Sequence, residues 1–350
     1  MLGSLPKLLD RNFVIGFFLP ALLAVFGAAW AFPNLSLLDP VRNLSAGEKS
    51  LGDLTYLGLA IWVLAVLLMT SNRLLYGMLE GYLPPSSWLI VGRWCHRRRF
   101  ERLKIPYDEL MEQWQTATDN GQDFPASMQA EAAKLRRTLV TSYPSTRAEI
   151  MPTRFGNVIR SFEVYPNEVY GVDSVTVWLR LASVIPKDYT ALLDDARAQA
   201  DCFVNLTLLA LLIGLASLAA AGYEADWRMI PDWNALTLNG VLIPFGRAGL
   251  RHVAFAAGSV AFAAIFYWRA IDRASAWADL VRSAFDCYLP ALIKQLGYAV
   301  PPTDVERREF WGEFSALITY ERPMTPDRWP LASEVGAAKE KPESDKGDVG

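Results

Sequence analysis

The sequence predicts a mainly α-helical integral membrane protein in which two transmembrane helical hairpins flank a mostly helical cytoplasmic domain. Three observations lead there. The chain is 52% hydrophobic with a mean hydropathy of +0.16, yet 20% of its residues are charged, a mixture expected of a few membrane spans joined to a water-facing domain. Four apolar windows contain no Asp, Glu, Lys or Arg. The Lys and Arg residues outside those windows are unevenly distributed around their ends.

A hydrocarbon core about 30 Å thick takes roughly 20 residues of helix to cross. The N-terminal hairpin, residues 1–70, holds Phe13 to Phe32 and Leu54 to Thr70; the second hairpin, residues 203–268, holds Phe203 to Tyr223 and His252 to Trp268. Pro20 lies inside the first span, where neighbouring helices can tolerate a kink. The second and fourth spans are short and are expected to continue beyond the lipid as "SNRLLYGMLEGY" and "RAIDRASAWADLVRSAFDCY". Ala29-Trp30-Ala31 resembles a signal-peptidase site, but the apolar run before it exceeds a signal core and three more spans follow.

Basic residues collect on the cytoplasmic side of bacterial spans. Lys7 and Arg11 precede the first; Arg73, Arg93, Arg97, Arg98, Arg99, Arg102 and Lys104 follow the second; Arg269, Arg273 and Arg282 follow the fourth. The connections Pro33 to Asp53 and Glu224 to Leu250 offset Arg42, Lys49, Arg228 and Arg247 with Asp39, Glu48, Asp53, Glu224, Asp226 and Asp232. Both termini and the middle of the chain are therefore expected in the cytoplasm of a cell with an inner membrane. The run "RWCHRRRFERLK" reads first as this topological signal and second as a lipid-facing site built on Arg97, Arg98 and Arg99. Its only aromatics are Trp94 and Phe100, and the net charge is -3, which argues against nucleic acid as a partner.

The cytoplasmic domain is expected over residues 71–202. It opens on an interfacial segment, residues 72–94, in which Pro84-Pro85 ends a helix and the tryptophans of "SSWLIVGRW" suit the headgroup layer. Helices follow from Pro106, stopped near Asn120-Gly121, and up to Tyr143-Pro144. Thr153 is placed to cap a helix carrying Phe155, Val158, Ile159 and Phe162 on one face. "DSVTVWLRL" reads either as a strand, by its alternation, or as a short helix packing Val175, Trp178 and Leu179. "KDYTALLDDARAQAD" is a helix entering the third span, which would couple the domain to the membrane. Beyond the fourth span, a cytoplasmic helical region at residues 269–330 has one helix ending before Pro290, a turn closed by Gly297 and a final amphipathic helix from "PPTDVERREF". Asn239-Gly240 carries a hairpin signal in the second connection, and the tail, residues 331–350, has the composition of a disordered segment.

Candidate chemistry is sparse. Cys95, Cys202 and Cys287 form no C-x-x-C pair, and His96 and His252 are far apart, so neither a disulfide framework nor a His/Cys zinc site is expected. No G-x-S-x-G, Walker-type or H-E-x-x-H motif occurs, and no cofactor is expected. Asp194-Asp195 are adjacent on a helix, so their side chains diverge by about 100°. One cluster stands out: Arg154, Asn157, Arg160, Glu163, Asp173 and Arg180, with Glu168 beside it. Its carboxylates could act as acid and base or hold Mg2+, against the plainer reading of caps and arginine partners. In the spans, Ala210 and Gly214, and Ala254 and Gly258, are small residues four apart, spacing that lets helices approach within one chain or between subunits.

The run "PTRFGNVIRSFEVYPNEVYGVDSVTVWLRL", with "NRLLYGMLEGY" before it and "AFDCYLPALIKQLG" after it, resembles a family of bacterial four-span membrane proteins carrying P-T-R-x-G-N, then Y-G-x-D and Trp-x-Arg-Leu. The matching positions are Pro152, Thr153, Arg154, Gly156, Asn157, Tyr170, Gly171, Asp173, Trp178 and Arg180. The resemblance spans Leu54 to Gly297 and implies topology, not chemistry. Where such relatives show Trp-Pro-Arg this chain has Trp178-Leu179-Arg180, which implies a different turn.

Three functions are consistent with these features. The first is a non-enzymatic homo-oligomeric pore or permeability effector gated by the cytoplasmic domain; without charge in the spans it would gate by dewetting rather than by ion coupling. The second is a membrane anchor or scaffold recruiting a cytosolic protein. The third is a membrane-bound, hydrolase-type enzyme using Glu163 or Asp173. The expected partners are the lipid bilayer, further copies of the chain, and a cytosolic protein or small-molecule ligand.

Overall fold

The computed structural model describes residues 10–47, 50–86, 90–225, 246–325 and 328–332. In chain order its helices are α1 (Arg11–Ala31), α2 (Asp39–Ser45), α3 (Leu51–Glu80), α4 (Ile90–Asp119), α5 (Ala126–Ser142), α6 (Arg154–Tyr170), α7 (Ser174–Leu181), α8 (Lys187–Glu224), α9 (Gly246–Gln295) and α10 (Asp304–Tyr320). Among the described residues there is no β-sheet; Tyr298 and Leu331 form an isolated bridge. Helices α1, α3, α8 and α9 are long and apolar enough to cross a membrane. The expected hairpin at Asn239-Gly240, the connection around Asp226, Arg228 and Asp232, Lys7, Lys49, Trp88 and the tail beyond Ala332 lie outside the described residues.

The chain divides into two compact units, residues 1–88 with 194–274 and residues 89–193 with 275–350. Helices α8 and α9 each supply residues to both.

The first unit is apolar. Phe13, Phe17, Ala21 and Ala24 on α1 pack with Leu57, Ile61, Ala65 and Leu68 on α3 and with Leu209 on α8. Ala21 and Ala65 are fully buried, and small residues at such a contact let backbones approach closely. The outer faces are apolar too: Leu59, Leu67, Leu212, Leu215, Val260 and Ile265 are each more than half exposed. Helices apolar on every side are stable where hydrocarbon, not water, surrounds them. Beyond α1, the Arg42 guanidinium donates to the carbonyls of Phe32 (3.3 Å), Pro33 and Leu35 (2.9 Å) and pairs with Asp39. It thereby ties the turn after α1 to α2, adding to the N–H donors that the Phe32 and Leu35 carbonyls already have from Leu35 and Leu38.

Pro20 acts on α1 through hydrogen bonding. Residues Val14–Phe18 form a π-helical segment, in which the Leu19 N–H reaches back to the Val14 carbonyl. Pro20 has no N–H for the carbonyl four residues earlier, that of Gly16. The side chain of Asn205, on α8 and fully buried, donates to that carbonyl at 2.9 Å. Gly16 lies at this contact, where a β-carbon would sit 3.4 Å from Asp201 Cβ, an ordinary packing distance.

The second unit is a polar helical bundle. Thr153 caps α6, accepting from the Gly156 N–H at 2.9 Å, as its position before the apolar stripe predicts. Phe155, Val158, Ile159 and Phe162 are buried beneath it, with Phe162 edge-on to Trp277 at 5.1 Å. Gly171, at φ +73°, ends α6 in the left-handed conformation. A β-carbon there would lie 2.9 Å from Arg308, so glycine also allows α10 to approach. Helix α10 begins with a capping box of Thr303 and Glu306 and buries Phe310, Trp311 and Phe314.

Four elements differ from expectation. Helix α3 stops at Glu80, with Gly81 at φ +101°, before Pro84-Pro85 is reached. Residues 72–94 take in the last turns of α3 and the start of α4. Helix α4 starts by Ile90 and runs through Pro106, because Phe100, Leu103 and Tyr107 pack against Leu139, Tyr143 and Ile150 and hold the helix on both sides of the proline. Helix α9 likewise runs through Pro290 to Gln295, with Leu289, Leu292 and Ile293 buried around it. The segment after Asp173 is the helix α7, but its buried face is Val177 and Leu181; Val175 and Leu179 are 72% and 80% exposed. Trp178 does pack, its ring 5.9 Å from that of Phe285.

Candidate functional site

In the polar unit three helical stripes converge on one cavity of about 320 Å³. Helix α4 contributes Phe100, Lys104 and Tyr107, spaced i, i+4 and i+7; α5 contributes Arg136, Leu139, Val140 and Tyr143; α6 contributes Ser161, Tyr165, Glu168 and Val169. Such spacings put each set on one face of its helix. Pro144 and Ser145 close the end beyond α5.

The cavity is held by residues behind it. The Arg282 guanidinium, only 7% exposed, donates to Ser161 Oγ at 2.7 Å and the Val140 carbonyl at 2.8 Å and pairs with Asp279 at 2.9 Å. It thus fixes α5 and α6 to α9. The hydroxyls of Tyr165 and Tyr170 both donate to the Asp286 carboxylate, at 2.9 and 2.7 Å. Tyr143 OH lies 3.3 Å from His96 Nδ1 and packs edge-on against Phe100.

Electrostatics at the rim are cationic. Burial pushes the Tyr143 hydroxyl above its ordinary range, while Arg99 and Arg154 pull it back. Burial lowers His96, and the same two arginines lower it further. Glu168, a carboxylate lining the cavity, is raised by burial and by the charge of Glu149. Lys104 is paired with Asp108.

The residues of the cluster singled out in the sequence have the following partners. Asn157 is fully buried and works on backbone: its Oδ1 accepts from the Met151 N–H at 2.9 Å, and its Nδ2 donates to the carbonyls of Met151 (2.9 Å) and Thr153 (2.7 Å). It locks the turn from which α6 begins. Arg160 bridges Glu149 (2.8 Å) and Glu163 (3.2 Å), and burial raises Glu163 above its ordinary range despite Arg160. Asp173 caps α7, accepting from the N–H groups of Val175 and Thr176 at 3.0 and 3.3 Å. Arg180 donates to the Thr176 carbonyl within the same helix. Arg154 lies at the start of α6, where its charge reaches Tyr143 and His96. Of the basic run, Arg98 lies over the Trp94 ring at 3.7 Å, Arg99 acts on Tyr143, and Arg97 is half-buried. The three diverge around α4.

The apolar unit holds two further features. Asp201, 5% exposed, accepts from Asn72 Nδ2 at 3.1 Å, and Arg197 lies 4.0 Å away. This carboxylate sits two residues before the third span. The second feature is an apolar groove of about 550 Å³ between α1, α8 and α9, lined by Gly27, Trp30, Ala210, Arg251, Ala254 and Gly258 among others. Gly214 faces elsewhere: a β-carbon on it would lie 3.2 Å from Ser259 Cβ, whereas one on Gly258 meets nothing within 4 Å.

No family model, curated protein or solved structure matches the chain. The cavity lining combines Arg136, the Asp108-paired Lys104, the Glu168 carboxylate and several hydroxyls beside an apolar wall. Among the described residues no group of three His, Cys, Asp or Glu side chains is placed to hold a metal ion, and the three cysteines are free. Asp173 caps a helix, and Glu163 pairs with Arg160.

Proposed function

We propose that this multi-pass membrane protein assembles from copies of itself into a pore or permeability effector in an inner membrane, gated by the polar unit. In this reading both termini and the polar unit face the cytoplasm, following the Lys and Arg bias at the span ends. The resemblance carried by Pro152 to Arg180 belongs to the same proposal and bears on topology alone. The observation that carries the reading is the division of labour among the small residues. Gly214 is used within the chain against Ser259, while Ala254 and Gly258 line an apolar groove that the neighbouring helices leave open. Small residues bordering such a groove are what a helix of a second copy packs against in lipid.

The test is ion flux from vesicles reconstituted with the full chain, together with crosslinking of a Gly258→Cys variant. Flux with a crosslinked dimer supports the reading. A monomer that crosslinks nowhere and passes no ions refutes it.

A scaffold reading is favoured by a different feature, the exposed pair Val175 and Leu179 on α7. Two apolar side chains one helical turn apart form a small docking face. If flux is absent and Leu179→Glu abolishes retention of a soluble protein on membranes containing the chain, the scaffold reading replaces the pore.

A further inference from the structure

We propose that the cavity among α4, α5 and α6 is a binding site for a small phosphate monoester with a flat ring body, of the class of nucleoside monophosphates. Its role as the gating ligand rests on the pore reading above; the binding itself does not.

The argument begins with charge. Lys104, itself paired with Asp108, and Arg136 line the cavity, whose one lining carboxylate is Glu168. Arg99 and Arg154 extend the positive field at the Tyr143 end, and the buried Arg282 guanidinium lies behind Ser161. A phosphate carries about two negative charges near neutral pH and presents three acceptor oxygens. Lys104, Arg136 and the hydroxyls of Tyr107 and Ser145 supply donors of the right number and kind.

The rest of the lining selects the body of the ligand. Phe100, Leu139 and Val140 form an apolar wall, and the rings of Tyr107, Tyr143 and Tyr165 flank it. A wholly polar anion would leave that surface without a partner, and a wholly apolar ligand would make no use of Arg136. The volume of about 320 Å³ lies at the small end of ligand pockets, which run from roughly 300 Å³ upward. The site therefore takes one small molecule rather than a peptide or a nucleic-acid strand.

The site is firmly built where the ligand needs it to be. Arg282 clamps Ser161 and Val140, and Asp286 holds Tyr165. Arg136 is exposed on α5, so replacing it removes charge without removing packing.

The experiment is titration calorimetry of the full-length, detergent-solubilised protein with adenosine and guanosine monophosphates, with inorganic phosphate and adenosine as separate arms. The expected result is saturable binding of at least one monophosphate, at least tenfold weaker binding of both inorganic phosphate and the nucleoside, a tenfold or greater loss in Arg136→Ala, and recovery in Arg136→Lys. Absence of binding by either monophosphate, or binding unchanged in Arg136→Ala and in the charge reversal Arg136→Glu, overturns the proposal. A monophosphate that binds as expected but leaves vesicle flux unaltered removes the gating role and leaves the site. Flux without any binding removes the site and leaves the pore.

Discussion

Asn205 Nδ2 donates at 2.9 Å to the carbonyl of Gly16, the acceptor whose helical donor is missing because residue 20 is proline. A polar side chain in the third span thus repairs a backbone defect in the first. In lipid, freed backbone groups must find partners inside the protein. Asn205→Leu is expected to destabilise the fold by about 1–3 kcal/mol, the range for stranding a buried acceptor. Replacing Pro20 by Ala returns an N–H to the helix, so the same substitution should cost less in a Pro20→Ala background. Thermal unfolding of the four proteins of this cycle in one detergent gives the coupling directly. Equal losses in both backgrounds would show that Asn205 serves something other than Gly16.

The two glycines of the small-residue rows should separate cleanly. A leucine at Gly214 meets Ser259 where a β-carbon alone would already lie at 3.2 Å. Overpacking of this kind costs about 1–3 kcal/mol, so Gly214→Leu is expected to lower the unfolding temperature. Gly258→Leu enters open space and should leave monomer stability within about 0.5 kcal/mol, as substitutions away from packed features do. Under the pore reading it nevertheless abolishes flux. A Gly258→Leu protein that conducts normally would remove the groove from the assembly.

Asp173 can be tested as a cap against a catalytic role. Its carboxylate accepts from the N–H groups of Val175 and Thr176, and asparagine caps helices about as well as aspartate. Asp173→Ala is expected to cost about 1 kcal/mol and Asp173→Asn almost nothing, both read from chemical or thermal unfolding. A residue needed as a general base would show the opposite sensitivity in any activity assay, since an asparagine side chain cannot take a proton.

Much of this architecture is legible in the sequence where the signal is local. The span windows contain no charge, and Thr153 precedes a stripe at helical spacing, so span positions and the start of α6 can be read along a few turns. The α7 segment is ambiguous because Val177 and Leu181, the buried pair, satisfy both an alternation and an i, i+4 spacing. Helix α4 defeats the proline rule at Pro106 because packing on α5 outweighs a local preference. The cavity among α4, α5 and α6 and the buried contact at Asp201 are illegible for a different reason. Asn72 and Asp201 are 129 residues apart, and Arg282 reaches Ser161 across 121. Nothing in a local pattern pairs them.

Glu163 provides a pH signature. Burial raises its carboxyl above the ordinary glutamate range, with Arg160 lowering it and Glu149 raising it further. The folded state therefore holds this proton more tightly than the unfolded chain does. The associated stability is fully present below the ordinary glutamate range, near pH ~4.3, and is lost as pH rises through that range and then through the higher native value. In the Glu163→Gln variant the amide cannot ionise, and its carbonyl can still accept from Arg160. The unfolding temperature of Glu163→Gln relative to the natural chain is thus expected to rise with pH across this acidic window and to level off above it. Glu168 is shifted in the same direction, so the natural chain should keep part of its pH dependence in the single variant and lose more of it when Glu168→Gln is added. A difference that stays flat, or falls as pH rises, would show that Arg160 outweighs burial at Glu163.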